Sequence, residues 1–455
     1  MGQYSLYLFL VWLTGGVALG LAFLGYRRSG DSFHPALILG IPLAYPYFLA
    51  PLLLHSKGIL DLYLPMEWMA YVQFLDLLGI ASLLLGTLKA RNSLTTFYKP
   101  ELWSQGLTRP LRSAALVLGI IGLVGYLVSV YSSGGFAEVY SVAHRGEGLK
   151  LSGYIRDSKW FLVPAILLLF LSSCGRQLKS KDIGLIAMLA APLIFRAIVL
   201  GSRATTFIIV VTLVVGLYMS RGRRPRLITV LAGGTALGVL LLILVTHRQV
   251  LYLGEEFQFK GTDEAIEFIG RNSRGHEYIY GSGTIINSIL VKDYEWGGRY
   301  IEKIVVRAIP GFLWPSQYED IRNFLGLPEN RLTAQVAALG WSATGGASTG
   351  LIADLWRQFW WFYLLILYWV GRIFGAFWTR AVSRGGIWFL TYTLMLAISL
   401  NLTQQTFQAW LWKLLFLGGI SWIVWRFMVY PHFKKIQVYF YTQKRGMFLD
   451  SKREV

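Results

Sequence analysis

The chemistry this chain offers is mostly that of arginine. One long stretch, His247 to Arg357, lacks an apolar run of membrane length and carries Arg248, Arg271, Arg274, Arg299, Arg307, Arg322 and Arg331 together with His276. Tyr278, Tyr280, Trp296, Tyr300, Trp314, Tyr318 and Trp341 are interleaved with them. A guanidinium contacts two phosphate oxygens at once and does not deprotonate, so several together are able to clamp a pyrophosphate and stabilise its departure. Cations beside flat aromatic faces suit a ligand that is part phosphate and part sugar. Arg145 beside His144, Arg203, Arg248, Arg274 and Arg307 are the arginines singled out, and His276, Glu277 or Glu319 is placed to accept a proton from a sugar hydroxyl. An ion pair within its loop is the ordinary role of any one exposed arginine; the set carries the expectation.

These residues need a frame, and composition says what kind. Of 455 residues 55% are hydrophobic, mean hydropathy is +0.50, and only 15% are charged, against about 25% in a soluble domain. The expected fold is all-α, a polytopic integral membrane protein. About eleven runs approach the ~17–25 apolar residues that span a bilayer: Tyr4 to Leu24, His34 to His55, Glu67 to Gly86, Ser113 to Tyr131, Trp160 to Cys174, Ile183 to Leu200, Ala204 to Met219, Leu227 to Thr246, Trp360 to Trp378, Ile387 to Leu402 and Trp410 to Tyr430. The first is expected to be a membrane helix rather than a cleavable leader. The organisation is thus an N-terminal bundle over 1–246 with a small outer loop at 132–159, a large outer region over 247–358, C-terminal spans over 359–430, and a basic tail over 431–455.

Charge fixes the expected orientation. Arg27 and Arg28, Lys89 to Arg112, Arg176 to Lys181, Arg221 to Arg226, Arg372 to Arg384 and Arg426 to Arg453 all fall on one side, with few acids among them. The positive-inside rule places that side in the cytoplasm of a cell inner membrane, so the N-terminus and both arginine-bearing regions lie outside and the C-terminus inside. This also accounts for the net charge of +19 without nucleic acid. Within the large region, Glu264 to Phe268 and Glu319 to Phe324 are expected as helical turns. Gly281 to Gly283 and Gly345 to Gly350 are expected as loops, and Ile304 to Pro315 as an apolar, proline-broken dip into the interface. Asp76 and Arg196 stand inside spans, where a charge is expected to be paired, here with each other, or functional.

The chain has no Walker loop, no GxGxxG after a strand, no HExxH and no GxSxG. No two of its histidines stand at ligand spacing, and its single cysteine, Cys174, permits neither an internal disulfide nor a cysteine cluster. No metal or cofactor is expected, although the carboxylates Asp263, Glu264 and Glu267 are close in sequence.

Three segments resemble the bacterial oligosaccharide repeat-unit polymerases, the O-antigen polymerase family. Leu200-Gly201-Ser202-Arg203 leading into Ala204 to Met219 is similar to that family's Gly-x-Arg entry into a span. Val306-Arg307-Ala308-Ile309-Pro310 followed by Trp314-Pro315 resembles its Arg-x-Pro and Trp-Pro in the large outer loop. Trp341 to Arg357 resembles the run back into the membrane. The resemblance implies transfer of a growing glycan from undecaprenyl pyrophosphate to the non-reducing sugar of another carrier-linked repeat unit, with no nucleotide. It implies Arg203, Arg274 and Arg307 as charge-stabilising catalytic residues; His276 is expected beside them as a catalytic residue, Arg145 and Arg248 as substrate-binding residues, and Trp314 and Trp341 as sugar-stacking surfaces. Implied partners are membrane lipids, a chain-length regulator and a flippase. An O-antigen ligase has the same architecture, and a glycan flippase remains an alternative from another class.

Overall fold

In the computed structural model the described residues are 3–89, 107–132, 134–136, 157–174, 177–200, 202–246, 273–309 and 313–434. Among them every regular element is helical. In chain order these are α1 (Gln3–Ser29), α2 (Pro35–Ala44), which runs through a π-turn at Tyr45–Leu49 into α3 (Ala50–Ser56), α4 (Met66–Leu88), α5 (Thr108–Tyr131), α6 (Leu162–Ser172), α7 (Ser180–Val199), α8 (Arg203–Ser220) and α9 (Leu227–Thr246). Then come α10 (Glu277–Val291), α11 (Gln317–Phe324), α12 (Gly350–Phe359), α13 (Tyr363–Arg384), α14 (Ile387–Ala397), α15 (Ser399–Gln404) and α16 (Phe407–Val424). Among the described residues nine segments are long and apolar enough to cross a bilayer, and two shorter apolar helices, Lys159–Ser172 and Leu227–Leu240, stand where the other two spans were expected. The chain is a multi-pass, all-α membrane protein.

The spans approach through small residues, as they must where lipid is as apolar as the side chains and close contact is what drives association. α4 and α13 run parallel and cross at Gly86 and Gly371. A Cβ on Gly86 would come 2.2 Å from the Tyr368 carbonyl oxygen, and one on Gly371 would come 2.0 Å from that of Leu83. The basic end of the bundle is pinned by Asp31, which accepts from Trp378 Nε1 at 2.7 Å and Phe33 N at 2.9 Å and pairs with Arg224 at 3.2 Å.

The other end, here the loop end, is more helical than expected. Gly281 to Gly283 is not a loop but part of α10, whose residues Tyr278 to Ser288 are all buried, with Tyr278, Ile279, Ile285 and Ile286 in the same core as the spans. The glycines serve approach rather than turning: a Cβ on Gly281 would meet the Thr349 carbonyl oxygen at 2.4 Å, and one on Gly283 would meet the Trp341 ring at 2.9 Å. The run ending at Arg357 is likewise a buried helix, α12, which breaks at Trp360 (φ 49°) before α13. Glu319 to Phe324 is helical as expected, and Ile304 to Pro315 begins in a π turn followed by a 3₁₀ turn, with 310–312 outside the described residues. Arg145, His144, Arg248, Glu264 to Phe268 and the C-terminal tail from 435 lie outside the described residues.

Arg357 holds this end together. Its side chain is 1% exposed, and it donates from Nε to Glu295 Oε1 at 3.0 Å and from Nη2 to Asp293 Oδ2 at 2.9 Å. Gln358 also bonds Glu295. Arg299 contacts Glu295 at 3.5 Å, Glu302 at 3.0 Å and the Pro328 carbonyl at 2.7 Å, and Arg322 reaches Glu302 at 2.6 Å. Gln408 of α16 donates to the Arg299 carbonyl at 2.6 Å. One network therefore joins the exit of α10, the turn at 298–308, α11, α12 and α16.

Two stability predictions follow from these contacts. Gly371→Val forces the α4–α13 crossing apart, and denaturant unfolding in detergent should show a loss of about 1–3 kcal/mol, as overpacking costs elsewhere. Burial pushes the Glu302 carboxyl up, but hydrogen bonds from Arg322 and Arg299 outweigh it and hold it below its ordinary value of 4.5. A carboxylate depressed in this way contributes stability that is complete above its unfolded pKa and is lost as pH falls through the folded one. Thermal stability should therefore drop on acidification below pH 4.5, and Glu302→Gln should start lower at neutral pH and show a shallower drop. An unchanged slope in that variant would place the acid sensitivity elsewhere.

Candidate functional site

The N-terminus of α10 gathers two of the arginines expected at a site, Arg203 and Arg274, with His276, Glu277 and Trp341. His276 is its N-cap: the backbone turns from extended (φ −71°, ψ 131°) into the helix, and Nδ1 accepts from Tyr278 N at 3.2 Å. Ser202 caps α8 in the same way, taking the Thr205 N–H. These two caps set Arg203 and Glu277, the first residues of their helices, against each other, with Arg203 Nη2 3.4 Å from Glu277 Oε1. The Arg203 side chain keeps 42% exposure. Its charge is thus partly compensated and still open to a ligand.

Arg274 stands in the 3₁₀ turn just before the cap and lies 5.6 Å over the Tyr63 ring. Tyr63 meets Trp341 edge-on at 5.8 Å, and Trp341 donates from Nε1 to the Tyr63 carbonyl at 3.0 Å. Gly275 packs against Thr344, whose Oγ1 would have to move to admit a Cβ. The result is an exposed guanidinium over Tyr63, backed by Trp341, three residues before Glu277 of the Arg203–Glu277 pair. Tyr45 is in electrostatic reach of that pair from the α2–α3 junction.

Protonation follows from the contacts. Burial lowers the His276 pKa, Glu277 raises it and Arg203 lowers it, with a net shift downward from 6.5. The ring is neutral at pH 7. Since Nδ1 accepts the Tyr278 N–H, the proton of the neutral ring sits on Nε2, which leaves His276 a hydrogen-bond donor and no proton acceptor. Of the three acceptors considered from the sequence, Glu277 is the one beside the arginines; Glu319 lies on α11.

The remaining expected residues sit elsewhere. Arg307 pairs with Asp157 and lies 4.9 Å over the Trp412 ring. Trp314 donates from Nε1 to Asp320 Oδ2 at 2.6 Å, which ties it to the start of α11 rather than to the Arg203 cluster. Asp76 is 2% exposed in α4, and no ion pair with Arg196 is formed. Gln73, one turn before it, accepts from Tyr278 Oη at 2.9 Å, and Tyr278 is linked to Tyr7 at 3.0 Å. Lys413 and Asn401 are polar residues that sequence reading passed over, since each is a single polar position in a membrane-length apolar run.

The capping role gives His276 a separable structural share. His276→Ala should lower stability by about 0.5–2 kcal/mol, whereas His276→Asn, itself a good cap, should stay within a few tenths of wild type in the same unfolding experiment. Equal losses in both would mean the ring is held by something other than the cap.

Compared with known proteins, the chain matches no family model, no curated protein and no solved structure.

Proposed function

We propose that this chain is a glycan polymerase of the O-antigen polymerase kind, joining undecaprenyl-pyrophosphate-linked repeat units at the outer face of a bacterial inner membrane. The observation that carries the reading is the α10 N-terminus, where two exposed arginines, a neutral imidazole and a carboxylate meet an aromatic wall at one end of a membrane bundle. The positive-inside pattern orients this end outward and the basic end toward the cytoplasm.

In this reaction the bond between the donor's anomeric carbon and its pyrophosphate oxygen breaks with its electron pair going to oxygen, while the acceptor sugar's hydroxyl oxygen forms the new glycosidic bond. Arg203 and Arg274 stabilise the charge that gathers on the departing pyrophosphate. His276 Nε2–H adds a neutral donor. Glu277, paired with Arg203, takes the acceptor hydroxyl's proton. Trp341 and Tyr63 supply the faces on which sugar rings stack. The membrane frame lets two lipid-anchored substrates meet without leaving the bilayer.

Deleting the gene in its host and resolving the surface glycan on a gel tests this. Glycan should stop at one repeat unit, with full length restored by wild type but not by Arg203→Ala or Arg274→Ala at matched protein levels. Loss of one such charge-stabilising donor is expected to slow transfer about 10²–10³-fold. Full-length glycan left on its carrier would indicate a ligase instead, and unaltered glycan would remove both.

A further inference from the structure

Asp76 is an acid that the mechanism above leaves unused. It stands in the middle of α4 and is 2% exposed. An ionised carboxylate at bilayer depth is unstable unless a cation or several donors come to it. Among the described residues neither does: Asp76 forms no ion pair, accepts no hydrogen bond and has no cation in electrostatic reach.

The neighbours show how this comes about. Tyr7 of α1, Tyr47 of the α2–α3 junction, Tyr278 of α10 and Tyr363 of α13 are in electrostatic reach of Asp76. Gln73 stands one turn before it on α4, and α12 lays the apolar Ile352 against the next turn at Gly79, with its own Asp354 and Arg357 bonded elsewhere. All of these polar groups but Tyr47 direct their hydrogens to other acceptors. Tyr363 donates to the Leu75 carbonyl at 2.8 Å and Tyr278 to Gln73 Oε1 at 2.9 Å. Tyr278 has one hydroxyl hydrogen, so the 3.0 Å bond between it and Tyr7 is donated by Tyr7. Gln73 gives its amide hydrogens to Thr14 Oγ1 at 2.9 Å and the Tyr47 carbonyl at 3.0 Å. The carboxyl thus lacks a single positive charge, and a proton on Asp76 itself supplies it without further ligands or space.

The same groups seat α10. Tyr278 follows Glu277 at the start of that helix, and its bonds to Gln73 and Tyr7 tie the helix start to α4 and α1. Tyr47 is in electrostatic reach of both Asp76 and Glu277. A bare charge at Asp76 would therefore arise beneath the outer site, among groups with few donors to offer, and would draw water in there.

We propose that Asp76 is a proton-binding site in the membrane core whose occupancy keeps the start of α10 seated, so that loss of the proton loosens it. The site stands on its own contacts and does not depend on the polymerase reading. Infrared spectroscopy of the purified full chain reads an un-ionised carboxyl directly through its C=O stretch. At pH 7 wild type should show this band, moved by exchange into D₂O, and Asp76→Asn should lack it. Asparagine has the shape of the neutral acid, so this variant should melt within a few degrees of wild type at pH 7. A proton held by the folded chain and released on unfolding makes stability fall as pH rises, so wild type should lose ground to Asp76→Asn between about pH 5 and pH 7. At alkaline pH the amides of Tyr278 to Thr284 should exchange hydrogen about tenfold faster in wild type than in Asp76→Asn.

Absence of the band in wild type, or its survival in Asp76→Asn, overturns the site. So does an Asp76→Asn chain that fails to purify or melts far below wild type at pH 7, since that is the behaviour of an ionised, partnered carboxylate. A wild-type band that disappears when sodium replaces potassium in the buffer overturns the proton as occupant in favour of a sodium ion. Equal exchange in the two chains at alkaline pH overturns the loosening of α10.

Discussion

The loop end of this protein depends on one desolvated guanidinium. Arg357 is sequestered in α12 with 1% of its side chain exposed, and a charge so placed persists only if carboxylates come to it. Glu295 and Asp293 do, Arg299 shares Glu295, and Glu302 then links Arg299 to Arg322. Each step draws another piece of backbone onto the bundle. Removing a single member leaves its partner buried and unmatched, a loss of about 3–5 kcal/mol, so the network behaves as a unit. α12 and α16 take their places from it, and with them Lys413 and the turn that carries Arg307.

That dependence explains what could and could not be read from the sequence. Eleven apolar runs announce the membrane bundle because hydrocarbon tolerates little else over that length, and the observed spans lie within a few residues of those runs. α10 is hidden because Gly281 and Gly283 look like turn residues, while their service is to let α10 touch Thr349 and Trp341. The arginines are harder still. Arg299, Arg322 and Arg357 are structural and Arg203 and Arg274 face outward, yet all five are alike in sequence. Only the return of Glu295 and Glu302 to them in space separates the two groups, and that return is a tertiary fact. Lys413 is concealed by the opposite effect, a lone cation inside Trp410 to Phe416 that hydropathy averages away.

The site itself is built from helix starts. Ser202 and His276 satisfy the first N–H groups of α8 and α10, and in doing so they aim Arg203 and Glu277 at each other. The His276 imidazole is held by the helix through Nδ1, which leaves the ring's proton on Nε2. A flexible loop bearing the same residues would have to order them on binding. Here the caps and the aromatic wall have already done so, which is the preorganisation that charge stabilisation needs.

The most direct test of the account is chain growth by the purified protein. Reconstituted in liposomes and given a synthetic polyprenyl-pyrophosphate repeat unit as sole substrate, it should produce a ladder of longer glycans still attached to lipid, with one carrier pyrophosphate released for each bond formed and no nucleotide required. Reconstituted Arg203→Ala should give little or no ladder. Protein that is folded and correctly oriented, yet leaves the repeat unit unextended, would contradict the account.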